Sequence, residues 1–299
     1  MPVSVVTSQQ KQRWDQDGWC VIEGVIPPAD LAGAQSAMER LFPTAEEMEQ
    51  GADDVHNIRW KTWDAQWPEF PFVSTRLNNL VVHSAVISAA EELLGTPDIA
   101  LYMGLMTAKY SGQGSGYNQL LHTDYPNHMI VVPRREVGYQ QVEFFIYLTD
   151  VTVEDGATRL VSRTKTADIP VERHTLSYVD YAELYDDPGH AAAPAGSIVA
   201  YRPDVYHRSV DVTDPGHRRV MLHVSFKPRE AEWGGYQAWS FKGLKPEWSK
   251  FAQQATVRQL TVLGVPEPGH PYWTEETLSG VQARYPGLDM SAWRSAFAP

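Results

Sequence analysis

His122 and Asp124 are separated by a single residue and stand at the end of a β-rich run, residues 118–124. In a strand, residues i and i+2 project to the same side, so an imidazole and a carboxylate at this spacing can converge on one metal ion. The chain has ten histidines, so a His-x-Asp can arise by chance and the pair alone carries little. Its weight comes from the residues downstream, in order: a second histidine in Tyr206-His207-Arg208-Ser209, then Arg218 at the head of the next β-rich run. Two imidazoles and a carboxylate on one face of a metal leave the other positions open, the arrangement associated with Fe(II) oxygenases. A guanidinium nearby supplies the fork needed to grip the far carboxylate of a metal-bound keto acid.

These residues need a scaffold that brings separate strands together. From residue 99 to about 227 the chain is a series of short runs rich in Val, Ile, Tyr and Phe, punctuated by Gly, Pro and Asp. The runs are 100–110, 118–124, 140–151, 158–162, 197–202, 205–212 and 218–226. So many strands in so short a stretch predict a sandwich or barrel, and the jelly roll is the form that hosts a metal site within one pair of sheets. The expected fold is therefore mainly β with flanking helices, around a double-stranded β-helix core. Residues 1–98 read as helical support with a long loop at 45–78, which carries Trp60, Trp63 and Trp67 and which we expect to serve packing. Helices are expected from Ser8 to Asp17, from Ala29 to Leu41 and from Asn78 to Leu94, with a strand from Trp19 to Ile26. An insertion at 166–195 is expected to pack outside the barrel. Residues 228–299 form a cap with helices at 250–263 and 274–284, so that the whole chain is one oxygenase domain.

The order of these pieces resembles one known family, the phytanoyl-CoA dioxygenase-like branch of the Fe(II)/2-oxoglutarate oxygenases. The resemblance runs through "DGWCVIEGVIPPADL", "NQLLHTDY", "VEFFIYLTDVTVEDGATRL", "PAGSIVAYRPDVYHRS" and "HRRVMLHVSF". It implies that His122, Asp124 and His207 are iron ligands and that Arg218 is the co-substrate arginine. It further implies that Ser209 assists Arg218, that Phe145 lies against 2-oxoglutarate, and that Lys109 adds a polar contact. Val161-Ser162-Arg163-Thr164 departs from the family's Pro-Gly-Ser-His at that turn. Arg219 adjoins Arg218: the first shares a strand face with Met221 and His223, the second with Val220 and Leu222, and both faces read as buried. Spacing from His207 selects Arg218.

The implied cofactors are Fe(II), 2-oxoglutarate and O2, and the implied activity is hydroxylation of a small-molecule metabolite, partly apolar given the aromatic loops. Asp124 occupies the position that halogenating relatives leave open for halide. Glu143, Phe145 and Tyr147 alternate onto one strand face that we expect to line the pocket, and His128 is the other histidine expected to serve the site. Two readings compete: a cupin-like metal enzyme without 2-oxoglutarate, and a non-catalytic binding protein on a decayed barrel.

Composition narrows the partners. Lys and Arg number 25 against 37 Asp and Glu, a net charge of −12, which disfavours a phosphate backbone as ligand. The single cysteine, Cys20, forbids an intrachain disulfide and a Cys-rich zinc site. No basic stretch followed by an apolar run opens the sequence, and no segment is apolar for the ~18 residues a membrane span needs, so the chain reads as cytoplasmic.

Overall fold

The structure is a computed structural model that describes residues 4–51, 68–112, 119–129, 131–133, 140–186, 188–231 and 242–297. Trp60, Trp63 and Trp67, with the rest of residues 52–67 of the expected 45–78 loop, lie outside the described residues, and the ends of that segment are helical rather than loop. The chain opens with α1 (Ser8–Asp17), β1 (Trp19–Ile22), α2 (Pro28–Met38), α3 (Ala45–Glu49), α4 (Thr75–Val81) and α5 (Ser84–Leu94). The β-rich half contains β2 (Ile99–Tyr110), β3 (Leu121–His122), α6 (Tyr125–His128), β4 (Val142–Tyr147), β5 (Arg159–Leu160), β6 (Thr175–Leu176), α7 (Ala182–Asp186), β7 (Gly189–His190), β8 (Ile198–Tyr201), β9 (His207–Arg208) and β10 (Arg218–Pro228). Four helices close it: α8 (Pro246–Ala252), α9 (Val257–Val262), α10 (Glu275–Arg284) and α11 (Ser291–Phe297).

The strands form two five-stranded antiparallel sheets, ordered β1-β8-β4-β10-β2 and β6-β3-β9-β5-β7. Alternation divides the first sheet cleanly. Val220, Leu222 and Val224 of β10, Phe144 and Ile146 of β4, and Ile198 and Ala200 of β8 point outward into one apolar cluster with Leu77, Leu93 and Trp293 of the helices. Met221, Phe145, Tyr147, Val199 and Tyr201 point inward, between the sheets. A slip of one residue would exchange these two sets, so the outer helical layer fixes which side chains enter the barrel.

Helix α1 has the expected range, and Thr7 caps it, because Thr7 and Gln10 form a reciprocal capping box. Several boundaries differ from expectation for identifiable reasons. The single helix expected over 78–94 is two: the His83 ring accepts the backbone N–H of Ala85 at 3.2 Å and starts a new helix there. Segment 166–195 does not lie outside the barrel. It supplies both edges of the second sheet, β6 beside β3 and β7 beside β5, and buries Leu176, Leu184 and Tyr185 against Leu121 and Tyr206. Strands of two residues are too short to show a period in sequence.

Candidate functional site

The second sheet holds His122 and His207 directly opposite each other on β3 and β9, with ring centroids 4.5 Å apart. Immediately after β3 the chain turns into α6, and the turn is fixed by the backbone N–H groups of Asp124 and Tyr125, both donating to the Pro203 carbonyl. That turn aims the Asp124 carboxylate back at the pair: Oδ1 is 3.6 Å from His122 Nε2 and Oδ2 is 3.3 Å from His207 Nε2. Ligands about 2.1 Å from one ion and at right angles lie about 3 Å apart, and these three side chains, whose ligand atoms all lie within 4.8 Å of one another, are near enough to share one ion.

Each imidazole is oriented by the carbonyl two residues before it. His122 Nδ1 meets Leu120 O at 2.9 Å and His207 Nδ1 meets Val205 O at 3.0 Å. A proton held on Nδ1 by a carbonyl leaves Nε2 with its lone pair toward the shared centre, the tautomer a metal needs. Tyr201 donates to Asp124 Oδ2 at 2.7 Å. Burial works against the charged form of Asp124, yet His207, His128 and His122 together hold its carboxyl below the usual range. Burial likewise opposes charge on His207, and Asp124 outweighs it, raising the imidazole. For His122 burial prevails and the value is lowered. Two imidazoles and one anionic oxygen set fit iron.

Arg218 is not at this site. It lies on the outward face of β10, where it bonds the carbonyls of Phe42 and Pro43 and pairs with Glu39. The guanidinium that enters the barrel is that of Arg219, buried at 3% exposure, whose strand face it shares with Met221 and His223. Arg219 donates to Gly156 O and, through Nη2, to Ser209 Oγ at 3.1 Å, while its Nε is buried without a partner. A fork with one orphaned donor beside a hydroxyl fits the far carboxylate of 2-oxoglutarate. Spacing from His207 pointed one residue away because it cannot sense which strand face meets the helical layer.

Of the other expected residues, Ser209, expected to assist Arg218, stands beside Arg219 instead. Lys109 reaches Val210 O at 2.6 Å, Asp211 at 3.1 Å and Ser209 Oγ at 3.4 Å, so it braces the loop that carries Ser209. Phe145 stands on the inner face with its ring 4.8 Å from Tyr201 and 4.7 Å from His223. His223, pushed down to about 3 by burial, is a neutral ring bonded to Thr107 Oγ1 at 2.9 Å. Glu143 also faces inward, as does His128, whose Nδ1 is 3.6 Å from its carboxylate. Tyr201, Tyr102 and Ser225 were not singled out from sequence. Tyr201 was available, since the inward phase of Val199 extends to it, whereas Tyr102 depends on an irregularity in β2.

The family described as "Phytanoyl-CoA dioxygenase (PhyH)" matches residues 14–220, a span that contains His122, Asp124, His207, Ser209 and Arg219. The chain belongs to that family. As such it is a non-haem iron- and 2-oxoglutarate-dependent oxygenase with O2 as co-substrate. A relative, L-proline trans-4-hydroxylase from Streptomyces griseoviridis, is 23% identical over 250 residues, 74% of this chain and 87% of that protein. Among solved structures, the non-haem alpha-ketoglutarate-dependent epimerase SnoN from nogalamycin biosynthesis superposes with a TM-score of 0.57 at 16% identity, covering 77% of this chain and 85% of SnoN. HygX from Streptomyces hygroscopicus, solved with nickel and 2-oxoglutarate bound, gives 0.54 at 17% identity over 75% of this chain and 88% of its own. The shared architecture is the double-stranded β-helix with flanking helices.

Proposed function

We propose that this family member hydroxylates an unactivated C–H bond of a small-molecule metabolite, with 2-oxoglutarate and O2 giving succinate and CO2. One oxygen atom goes to the substrate and the other to succinate. The observation that carries the reading is the convergence of three ligand atoms, each side chain already oriented, beside a buried guanidinium with an unpaired donor. The hydroxylase named among the relatives supports this outcome over the epimerisation named for SnoN. The acidic balance and lone buried cysteine favour a cytoplasmic setting; among the described residues, no helix is long and apolar enough to cross a membrane.

The roles rest on chemistry and position. His122 and His207 each offer Nε2, and Asp124 offers one oxygen while Tyr201 restrains the other. Arg219, in place of Arg218, pairs with the C5 carboxylate of 2-oxoglutarate, with Ser209 donating beside it and Lys109 bracing the loop. Bound iron with its keto acid supplies the oxidising chemistry. Phe145, Met221 and Val199 keep the interior apolar around the co-substrate, which excludes water and strengthens the charge pairing. A cupin-like enzyme without a keto acid would leave the Arg219 donor unexplained.

Succinate release from 2-oxoglutarate under O2, with Fe(II) added, tests the reading. Wild type should form succinate, and His207→Ala should reduce it at least a hundredfold together with iron content. Equal succinate from both proteins, or none from wild type despite bound iron, contradicts it.

A further inference from the structure

The inner face of the first sheet is not uniformly apolar. Glu143, 2% exposed, lies four residues along β4 from Tyr147, about 13 Å away at the rise of an antiparallel strand, and hence toward the opposite end of the barrel from Arg219. Tyr102 donates to its Oε1 and Ser225 to its Oε2. The Tyr102 contact is made by a bulge. The register of β2 against β10 shifts between Ser225 and Phe226, so Met103 faces Ser225, Leu101 faces Phe226, and Tyr102 is the extra residue whose side chain is re-aimed inward. A bulge that breaks the longest ladder of the sheet to deliver one hydroxyl to one carboxylate is an expensive arrangement for mere packing.

Two features leave this corner incomplete. No Lys or Arg pairs with Glu143 among the described residues, and the nearest basic group is the His128 ring. Two residues earlier in the chain, just before β4 begins, Gln141 is 1% exposed, and neither its amide nitrogen nor its amide oxygen has a partner. A buried amide with both ends unmet, two residues before a buried carboxylate with two of about four lone-pair sites still free, is a pattern that a ligand with N–H donors and positive charge completes. An apolar substrate would leave the Gln141 amide unmet and the Glu143 charge without a cationic partner, and an anionic one would be repelled by Glu143 as well as Asp124.

We propose that Glu143, Gln141, Tyr102 and Ser225 form the substrate-anchoring site and recognise a protonated nitrogen, so that the substrate is an amine-bearing small molecule. This rests on the oxygenase reading above for the role of the site, though not for its ligand. The barrel is then electrostatically divided: Arg219 receives the far carboxylate of the co-substrate at one end, and Glu143 receives a cation at the other, with the iron ligands between. Burial, the largest influence on Glu143, raises its carboxyl, and an arriving ammonium group opposes that effect.

Three probes of matched size test it by isothermal titration calorimetry at pH 7: cyclohexylammonium, cyclohexanol and cyclohexanecarboxylate. They are titrated into anaerobic Fe(II)- and 2-oxoglutarate-loaded protein and, separately, into metal-free protein. In wild type the ammonium should bind at least tenfold more tightly than either other probe. Glu143→Gln should bring the three within threefold of one another, and Gln141→Leu, which leaves the carboxylate network in place, should weaken the ammonium alone by about fivefold. Equal binding of the three probes to wild type, no ammonium binding, or a preference that survives both substitutions would overturn the proposal. An ammonium preference in protein that never binds 2-oxoglutarate keeps the cation site and removes the oxygenase assignment; keto-acid binding without the preference does the reverse.

Discussion

Tyr201 donates its hydroxyl to the Asp124 oxygen that also faces His207, so one side chain fixes the rotamer of the only anionic member of the ligand set. Groups that orient ligands in this way typically change metal affinity ten- to a hundredfold when removed. Tyr201→Phe should therefore keep the fold and weaken Fe(II) binding about tenfold, measured by competition with a chelator; unchanged affinity would show that Asp124 is held by other means. At this scale the cluster of His122, Asp124 and His207 was legible in the sequence, because His-x-Asp and the distal histidine state their chemistry in residue types and order. The arginine was not. Arg218 and Arg219 are identical in chemistry and adjacent in sequence, and only the outward packing of Val220, Leu222 and Val224 on the helices decides which of them enters the barrel.

The strands that carry His122 and His207 are two residues long, and they hold position because the loops around them are cross-braced. The loop before β5 illustrates this. Gly156, whose carbonyl accepts Arg219, has φ +73°, and a Cβ there would come within 2.7 Å of Val210 O. Only glycine suits that conformation and that approach. Next to it Asp155 accepts from the Thr152 backbone and hydroxyl, at 2.9 and 2.8 Å, and faces His217 Nδ1 at 2.8 Å. Burial raises Asp155, but the Thr152 and His217 bonds outweigh it and lower the carboxyl; the bond to Asp155 in turn raises His217. A lowered carboxyl contributes stability above its unfolded value near 4 and loses it as pH falls; a raised imidazole contributes below about 6.5 and loses it as pH rises through its folded value. The pair is thus strongest between these limits. His217→Ala should lower Tm most at about pH 5 to 6, and the gap should narrow above pH 8; a gap that does not vary with pH would contradict the pairing. Such braces, like the two edge strands donated by residues 166–195, rest on contacts between distant segments and leave no periodic trace in sequence.

Across the whole molecule, one apolar cluster runs from α1 through the outer face of the first sheet to α11, so the C-terminal helices share the core that fixes the barrel's inner face. Trp293 is central to this, 1% exposed, with its indole N–H on Pro266 O at 2.7 Å and its ring against Trp273. Emptying that volume costs about 3–5 kcal/mol, and for a chain of this size Trp293→Ala should lower Tm by about 5–8 °C in one cooperative transition. Two separate transitions would show that the cap folds by itself. That the tail caps the barrel was readable from its sequence, but the surface it covers was not. The central claim, that iron at His122, Asp124 and His207 is paired with a co-substrate site at Arg219, is tested most directly by anaerobic titration of the Fe(II)-loaded protein with 2-oxoglutarate, following the visible charge-transfer band of the chelate. The band should appear in wild type and in Arg218→Ala at similar keto-acid concentrations, and Arg219→Ala should need about ten- to a hundredfold more, the loss expected for a charge-assisted fork. A band that shifts in Arg218→Ala and not in Arg219→Ala, or no band with iron bound, would contradict the account.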